Sequence, residues 1–132
     1  MKRIELACIV DDDSIYVFGL KKLIEMHDFC DNMLVFRNGE EAIKYLEPVI
    51  TKSESLPDVI LLDINMPVMD GWDFMEEFIK LKPMMAKEVL VYMVSSSIHD
   101  EDVQRAKSYS DVSGYVIKPV TLADLKTIFT PQ

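Results

Sequence analysis

Aspartates follow two of the most apolar runs of this 132-residue chain. Asp63 comes directly after residues 59–62, four consecutive apolar residues, and Asp11 and Asp12 follow the strand-like residues 4–10. A continuous apolar run is typical of a strand that is buried on both faces of a parallel sheet. Open α/β sheets bind ligands at the carboxyl ends of such strands. The three carboxylates are therefore predicted to meet at one edge of a sheet.

A hydroxyl and an ammonium group are predicted to join them, because Ser95 follows a fourth strand and Lys118 a fifth. Three carboxylates and one ammonium group leave about two negative charges together, and like charges that close raise each other's pKa. A bound divalent cation removes this repulsion. Oxygen ligands without His or Cys favour Mg²⁺ and argue against zinc.

This combination of groups is suited to phosphoryl transfer. Asp63 is the predicted nucleophile and would form an acyl phosphate. The metal and Lys118 would neutralise the phosphoryl oxygens, and Ser95 would donate a hydrogen bond to one of them. Taken singly, an aspartate after a strand is usually a helix cap and a Lys-Pro pair is usually a loop. The combination at four strand ends favours a chemical site.

Five strand-like and five helix-like segments alternate along the chain and must position these groups. Apolar runs predict strands at residues 4–10, 33–36, 59–63, 89–94 and 114–117. Helical spacing predicts helices at residues 14–29, 40–50, 72–81, 100–109 and 122–129, with a polar loop at residues 51–57. Strands that alternate with helices predict an α/β domain, in which helices cover both faces of a parallel sheet.

Local signals predict where two helices begin. Ser14 or Asp13 is a candidate cap for the first helix, and Asp70 for the helix that starts near Trp72. The apolar residues of the first helix cover more than one of its faces, although one stripe is enough to meet a sheet. The additional apolar residues of this helix predict either an exposed patch for a partner or a wide buried contact.

Composition limits the functions that the chain can have. The 14 basic and 23 acidic residues give a formal charge of −9, which disfavours binding to nucleic acids or anionic membranes. Cys8 and Cys30 set no disulfide framework, and Cys8 lies in an apolar run that predicts a buried, inert thiol. The apolar run near the amino terminus is too short for a signal sequence or a membrane span, which predicts a cytoplasmic protein. A start at Met1 favours a complete chain of one domain, residues 1–132.

Four motifs resemble those of the receiver domains of bacterial two-component response regulators, and of the chemotaxis-type single-domain regulators in particular. They are VDDD at residues 10–13, LDINMPVMDG at 62–71, VSS at 94–96 and GYVIKP at 114–119. The resemblance covers nearly the whole chain. It implies a flavodoxin-like, doubly wound sheet of five parallel strands in the order 2-1-3-4-5.

The resemblance also assigns roles to individual residues. It implies that Asp63 is the phosphoacceptor, and that Asp12 contacts Mg²⁺, or Mn²⁺ in its place, directly while Asp11 does so mainly through water. The backbone carbonyl of Asn65 would complete the protein ligands. Further residues correspond to the switch hydroxyl, the rotating aromatic and the invariant lysine of the family, namely Ser95, Tyr115 and Lys118.

The implied function is a phosphorylation switch and not an enzyme that turns over a separate substrate. A sensor histidine kinase or a histidine phosphotransfer protein would dock on the first helix, where Val17 or Phe18 is expected to be exposed, and would supply the phosphoryl group. Ser95 would then move toward this group, and Tyr115 would turn inward into the vacated space. A downstream protein would bind the face formed by residues 100–129.

Three other classes fit less well. Phosphatases and mutases that form an aspartyl phosphate need a second aspartate two residues after the nucleophile, where this chain has Asn65. A flavodoxin-type nucleotide site needs a Gly-rich loop where this chain has three aspartates. A degenerate receiver would lack a site residue, and none is missing. The sequence leaves open the kinase, the pathway, the phosphoryl lifetime, the oligomeric state and the choice between relay, phosphate sink and effector.

Overall fold

The computed structural model describes residues 4–130, so residues 1–3 and 131–132 of the predicted domain lie outside the described residues. Five strands alternate with five helices. They are β1 (Leu6–Val10), α1 (Ser14–Met26), β2 (Asn32–Phe36), α2 (Gly39–Leu46), β3 (Val59–Asp63), α3 (Gly71–Leu81), β4 (Leu90–Ser95), α4 (Asp100–Lys107), β5 (Val112–Ile117) and α5 (Leu122–Phe129). Short 3₁₀ turns occupy Glu47–Val49, Ser53–Ser55 and Lys82–Met84.

All five strands belong to one parallel sheet in the order β2-β1-β3-β4-β5. The predicted fold class and strand order are therefore confirmed. β1 and β3 pair in the middle of the sheet, so the carboxyl ends of β1, β3, β4 and β5 lie side by side along one edge.

The central strand explains why its sequence is continuously apolar. Ile60 and Leu62 belong to a core beneath α2, α3 and α4, whereas Val59 and Leu61 belong to a second core beneath α1 and α5. Both faces of β3 are thus covered, and all five of its residues are buried. Alternate side chains of a strand point to opposite faces, so burial on both faces requires apolar residues in succession.

Side-chain caps fix the starts of α1 and α3, two of the helices that begin at the sheet edge. Asp13 and not Ser14 caps α1, since its carboxylate accepts the Tyr16 N–H at 3.1 Å. Asp70 caps α3 as predicted by accepting the Asp73 N–H at 2.9 Å. Both caps lie in the loops that carry the candidate site, so they hold those loops as well as the helices.

Several elements end earlier than the sequence predicts. α1 stops at Met26 because Asp28 adopts a left-handed conformation (φ 52°), and the N–H groups of Asp28 and Phe29 bond back to the last turn as in a Schellman motif. α2 stops at Leu46, since Pro48 cannot donate to a further helical hydrogen bond.

Cys8 and Cys30 are both buried and form no disulfide, and burial raises the pKa of the Cys8 thiol. The prediction of a buried thiol at Cys8 is confirmed. Within residues 4–130, none of the helices is both long enough and apolar enough to span a bilayer.

Candidate functional site

The predicted carboxylates meet at the edge of the sheet. One oxygen each from Asp11, Asp12 and Asp63 lies within 4.8 Å of the other two. Asp11 and Asp63 are buried, with exposed fractions of 4% and 7%, whereas Asp12 is exposed. Three carboxylates this close, with no His or Cys among them, form a ligand set that can hold Mg²⁺ or a similar hard cation.

Strand register brings Asp11 and Asp63 together. Val10 pairs with Leu62 across β1 and β3, so the two aspartates that follow these residues occupy the same level of the sheet. Asp63 in turn pairs with Val94 of β4. The convergence follows from the parallel topology, because every strand ends in the same direction.

The loop after β3 is packed tightly against the phosphoacceptor candidate. The Gly71 N–H donates to the Ile64 carbonyl at 2.8 Å. A Cβ atom on Gly71 would lie 2.7 Å from the Asp63 carbonyl oxygen and 2.8 Å from the Ile64 Cα. Only glycine allows the start of α3 to approach β3 this closely.

Lys118 connects β5 with the carboxylates. Its Nζ lies 2.8 Å from Asp11 Oδ2 and 3.8 Å from Asp63 Oδ1. The Lys118 N–H also donates to the Ser95 carbonyl at 2.9 Å, which fixes the start of its side chain beside β4. The side chain is 19% exposed, so its charge acts on the carboxylates with little screening by solvent.

The surroundings of Asp63 raise the pKa of its carboxyl group. Burial and the negative charge of Asp11 raise the pKa of Asp63 to about 6, against the opposing effect of Lys118 and of the backbone N–H groups of Asn65 and Ile64. The ammonium group therefore compensates only part of the cost of ionising a buried carboxylate. A cation at this site would favour the ionised form.

Ser95 and Tyr115 are linked through Ser97. Ser95 is fully buried, and its Oγ accepts the Ser97 N–H at 3.1 Å. The half-buried Tyr115 donates its hydroxyl proton to the Ser97 carbonyl at 2.8 Å. A rotation of Ser95 would therefore disturb the N–H group of the residue whose carbonyl accepts from Tyr115.

Ser97 makes a further contact in this loop that was not predicted from the sequence. Ser97 Oγ donates to Asp102 Oδ2 at 2.5 Å and accepts the His99 N–H at 3.3 Å, so Ser97 attaches the β4–α4 loop to the first turn of α4. The available signal was a serine five residues before an aspartate near a helix start, a local pattern that occurs in many caps.

Tyr16 was missed as well. Its ring lies over Lys118 Nζ, with the nitrogen 4.2 Å from the ring centroid. The available signal was position alone, because Tyr16 lies in the first turn of the helix that follows the acidic pair.

α1 presents part of its apolar surface to solvent. Of the two residues of which one was expected to be exposed, Val17 is buried with an exposed fraction of 6% and faces the sheet in the core beneath α1 and α5, so Phe18 is the exposed one. Phe18 and Ile15 are 64% and 85% exposed. The surplus apolar residues therefore include both a buried contact and an exposed patch, formed by Ile15 and Phe18.

A family model described as "Response regulator receiver domain" matches residues 7–130. The chain therefore belongs to the receiver domain family of response regulators, whose members accept phosphoryl groups in two-component signalling. Receiver domains are signalling modules, and they interact with histidine kinases or phosphotransfer proteins. The resemblance that the motifs indicated is confirmed.

Individual relatives agree with this assignment. The chain is 30% identical over 118 residues to the probable methanogenesis regulatory protein FilR2 of Methanothrix harundinacea, covering 89% of this chain and 74% of that protein. It is 31% identical to the nitrate/nitrite response regulator NarL of Escherichia coli, covering 89% of this chain but only 49% of NarL. The crystal structure of a two-component response regulator from Cytophaga hutchinsonii superposes with a TM-score of 0.86 at 29% identity, covering 97% of this chain and 96% of that one.

Proposed function

We propose that this chain takes a phosphoryl group from a phosphohistidine donor onto Asp63 in the presence of Mg²⁺, and that the modification switches a protein-binding surface. The observation that carries the proposal is the position of Asp63. Its buried carboxylate lies beside the ion pair of Asp11 and Lys118, 3.8 Å from the ammonium nitrogen, at the carboxyl end of a central strand.

Hydrogen bonding favours Asp63 over its neighbours as the nucleophile. Both oxygens of Asp11 are engaged, since Oδ1 accepts the Asp13 N–H at 2.9 Å and Oδ2 accepts from Lys118 at 2.8 Å. Asp12 is exposed and lacks the protection from water that a phosphorylated carboxylate needs. Asp63 is buried and lies farther from Lys118 Nζ, at 3.8 Å, so it is not held in a close ion pair as Asp11 is.

The transfer exchanges one bond for another. A carboxylate oxygen of Asp63 bonds to phosphorus while the bond from phosphorus to the donor imidazole nitrogen breaks, and the leaving imidazole keeps the electron pair and takes a proton from solvent. Lys118 stabilises the charge on the phosphoryl oxygens, and Ser95 can turn to donate its hydroxyl proton to one of them. A cation held by Asp11, Asp12, Asp63 and the Asn65 carbonyl, Mg²⁺ or Mn²⁺, would supply further charge neutralisation.

Intact mass measured after incubation with acetyl phosphate tests the proposal. We expect one phosphoryl adduct on the wild type, none on Asp63→Asn, and none when Mg²⁺ is removed by a chelator. Asp13→Asn is the matched control, because it removes the same charge from the neighbouring loop while asparagine still caps α1. An adduct on Asp63→Asn equal to that on the wild type would contradict the assignment of the phosphoacceptor.

The switch is proposed to run through Ser95, Ser97 and Tyr115. When Ser95 turns toward the phosphoryl group, its hydrogen bond with Ser97 changes, and Tyr115 and α4 repack into a second arrangement. Ser95→Ala should keep the adduct but show a smaller change in the backbone NMR shifts of residues 100–129 on addition of beryllofluoride. An equal change in both proteins would contradict this route.

The exposed patch of Ile15 and Phe18 is proposed to dock the phosphodonor, a sensor histidine kinase or a histidine phosphotransfer protein. The patch lies on α1 beside the acidic edge, and adjacent exposed apolar side chains mark interaction surfaces. Phe18→Ala should slow transfer from an autophosphorylated histidine kinase of the same genome, yet leave the reaction with acetyl phosphate unchanged. Met26→Ala, an exposed apolar residue at the far end of α1, is the control.

A further inference from the structure

The ammonium group of Lys118 is held on three sides. Asp11 Oδ2 lies 2.8 Å from Nζ, Asp63 Oδ1 lies 3.8 Å away, and the ring of Tyr16 covers a third side at 4.2 Å from its centroid. Lysine has a flexible stem and a compact charge, so its position depends on the groups around the nitrogen. Tyr16 is the neighbour that carries no charge of its own.

The backbone of Tyr16 is fixed where α1 begins. Its N–H donates to the carboxylate of Asp13, the helix cap that directly follows the acidic pair. α1 packs on the sheet through Val17 and Leu20, which are both buried. Tyr16 therefore projects from an element that is anchored on two sides, and its ring has a defined place over Lys118.

The hydroxyl group of Tyr16 does not account for this placement. It is buried, yet it has no hydrogen-bond partner among residues 4–130. An unpartnered buried hydroxyl is unfavourable. The contact with the ammonium group involves the ring face and not the hydroxyl, so phenylalanine would keep this contact without that cost.

The proposed function, on which this inference rests, gives the contact a consequence. Nζ lies closer to Asp11 than to Asp63, and in transfer it must reach the phosphoryl oxygens on Asp63. A ring face attracts a cation that lies within about 6 Å of the ring centroid, without the fixed contact geometry of a hydrogen bond to a carboxylate. The attraction can therefore persist while the ammonium group moves a short distance toward Asp63, and the ring keeps water away from the nitrogen.

We propose that Tyr16 is a positioning residue for phosphoryl transfer. Its ring holds the Lys118 ammonium group over the gap between Asp11 and Asp63, and its hydroxyl group is not needed. The role belongs to the aromatic face, so phenylalanine preserves it and leucine does not.

The contact itself is tested by NMR on the unphosphorylated protein. Protons next to the face of an aromatic ring are shifted upfield, so the terminal methylene protons of Lys118 should show this shift in the wild type and in Tyr16→Phe. In Tyr16→Leu the shift should disappear. Methylene shifts of Lys118 that are the same in Tyr16→Leu as in the wild type would overturn the proposal.

The effect of the Tyr16–Lys118 contact on phosphoryl transfer is tested by the rate at which the adduct with acetyl phosphate forms. We expect Tyr16→Phe to react within about twofold of the wild type, and Tyr16→Leu to react about tenfold more slowly, the range that one cation–π contact in a partly desolvated site allows. Phe29→Leu is the matched control, because it makes the same aromatic-to-leucine change at a half-buried ring that stacks on Phe129, away from the site. It should react like the wild type.

The possible outcomes distinguish a failure of the positioning role of Tyr16 from a failure of the proposed phosphoacceptor function. A Tyr16→Leu rate equal to that of the wild type would overturn the positioning role, and a Tyr16→Phe rate as low as that of Tyr16→Leu would assign the effect to the hydroxyl and overturn it as well. The absence of an adduct on the wild type would overturn the proposed function together with the rate effect. In that case the NMR shift would still decide whether the ring holds the ammonium group.

Discussion

The elevated pKa of Asp63 predicts that replacement of this residue stabilises the metal-free protein at neutral pH. Burial and the charge of Asp11 raise this pKa from 3.8 to about 6, so the ionised carboxylate is less favourable in the folded state than in the unfolded chain. Asparagine has nearly the same shape and no charge. Asp63→Asn should therefore increase the free energy of unfolding while it abolishes the proposed function.

The size of the gain follows from the pKa difference. Each tenfold change in acidity corresponds to about 1.4 kcal/mol, which gives an upper value of about 3 kcal/mol. The edge of the sheet is open to solvent on the side of the exposed Asp12, and solvent screens part of this cost. We therefore expect Asp63→Asn to be more stable than the wild type by about 2 kcal/mol near pH 7.5.

The raised pKa of Asp63 also determines how the stability difference between Asp63→Asn and the wild type changes with pH. Above pH 6 the carboxylate is ionised in both the folded and the unfolded state, so its full cost is present. As the pH falls from about 6 toward 4, the folded state binds the proton more tightly than the unfolded chain does, and the wild type gains stability. The advantage of Asp63→Asn should shrink over this window and be nearly absent at about pH 4.

Urea denaturation at several pH values, followed by far-UV circular dichroism and with a chelator present, measures this difference. Asp58→Asn is the control of opposite sign. Burial alone would raise the pKa of Asp58, but hydrogen bonds from Lys87 and from the N–H groups of Leu6 and Glu5 lower it overall. Asp58→Asn should therefore destabilise the protein at neutral pH.

Addition of Mg²⁺ provides a second control. The wild type should gain stability with increasing Mg²⁺ concentration, and Asp63→Asn should gain less because it lacks one carboxylate ligand. A decrease in stability for Asp63→Asn at pH 7.5 without metal, or a difference that does not change between pH 7.5 and pH 4.5, would refute the reasoning about the Asp63 carboxylate.

Three further predictions concern the backbone and the α3–α4 contact. Gly71→Ala should destabilise the fold by about 1–3 kcal/mol, because the new Cβ atom would meet the backbone at the end of β3. Gly19→Ala should stabilise α1 by up to about 1 kcal/mol, because a Cβ atom there would have no other atom within 4 Å. Urea denaturation of both variants checks this contrast. Val68→Asn should stabilise the protein by about 1 kcal/mol in the same assay, since the exposed Val68 has a φ of 68°, which asparagine tolerates better than a β-branched residue. Arg105→Gln should change the fluorescence emission of Trp72, the single tryptophan of the sequence, because the guanidinium lies 4.4 Å from the centre of the Trp72 ring. Unchanged emission would contradict this contact.

The sequence by itself determined the fold class, the strand order and the edge at which the acidic residues meet. The continuous apolar run before Asp63 identified a strand covered on both faces, and the family motifs gave the order 2-1-3-4-5. The cap at Asp70 was also predictable, because it depends on a hydrogen bond between residues three apart. Patterns of short range and the fixed direction of parallel strands are sufficient for these features.

Only the tertiary structure decided which way α1 is rotated. Val17 and Phe18 are neighbours on a helix with apolar residues on more than one face, so periodicity alone does not say which of them meets the sheet. Packing against the sheet and α5 buries Val17 and leaves Phe18 in solvent.

The electrostatic environment of the site was likewise a property of the tertiary structure. The sequence brought Lys118 to the edge of the sheet, but the unequal distances to Asp11 and Asp63 depend on side-chain conformations. The ring of Tyr16 reaches the same nitrogen from a helix near the other end of the chain. The pKa of Asp63 combines burial with the charges of Asp11 and Lys118, which follow two other strands, and such long-range effects exist only after the chain has folded.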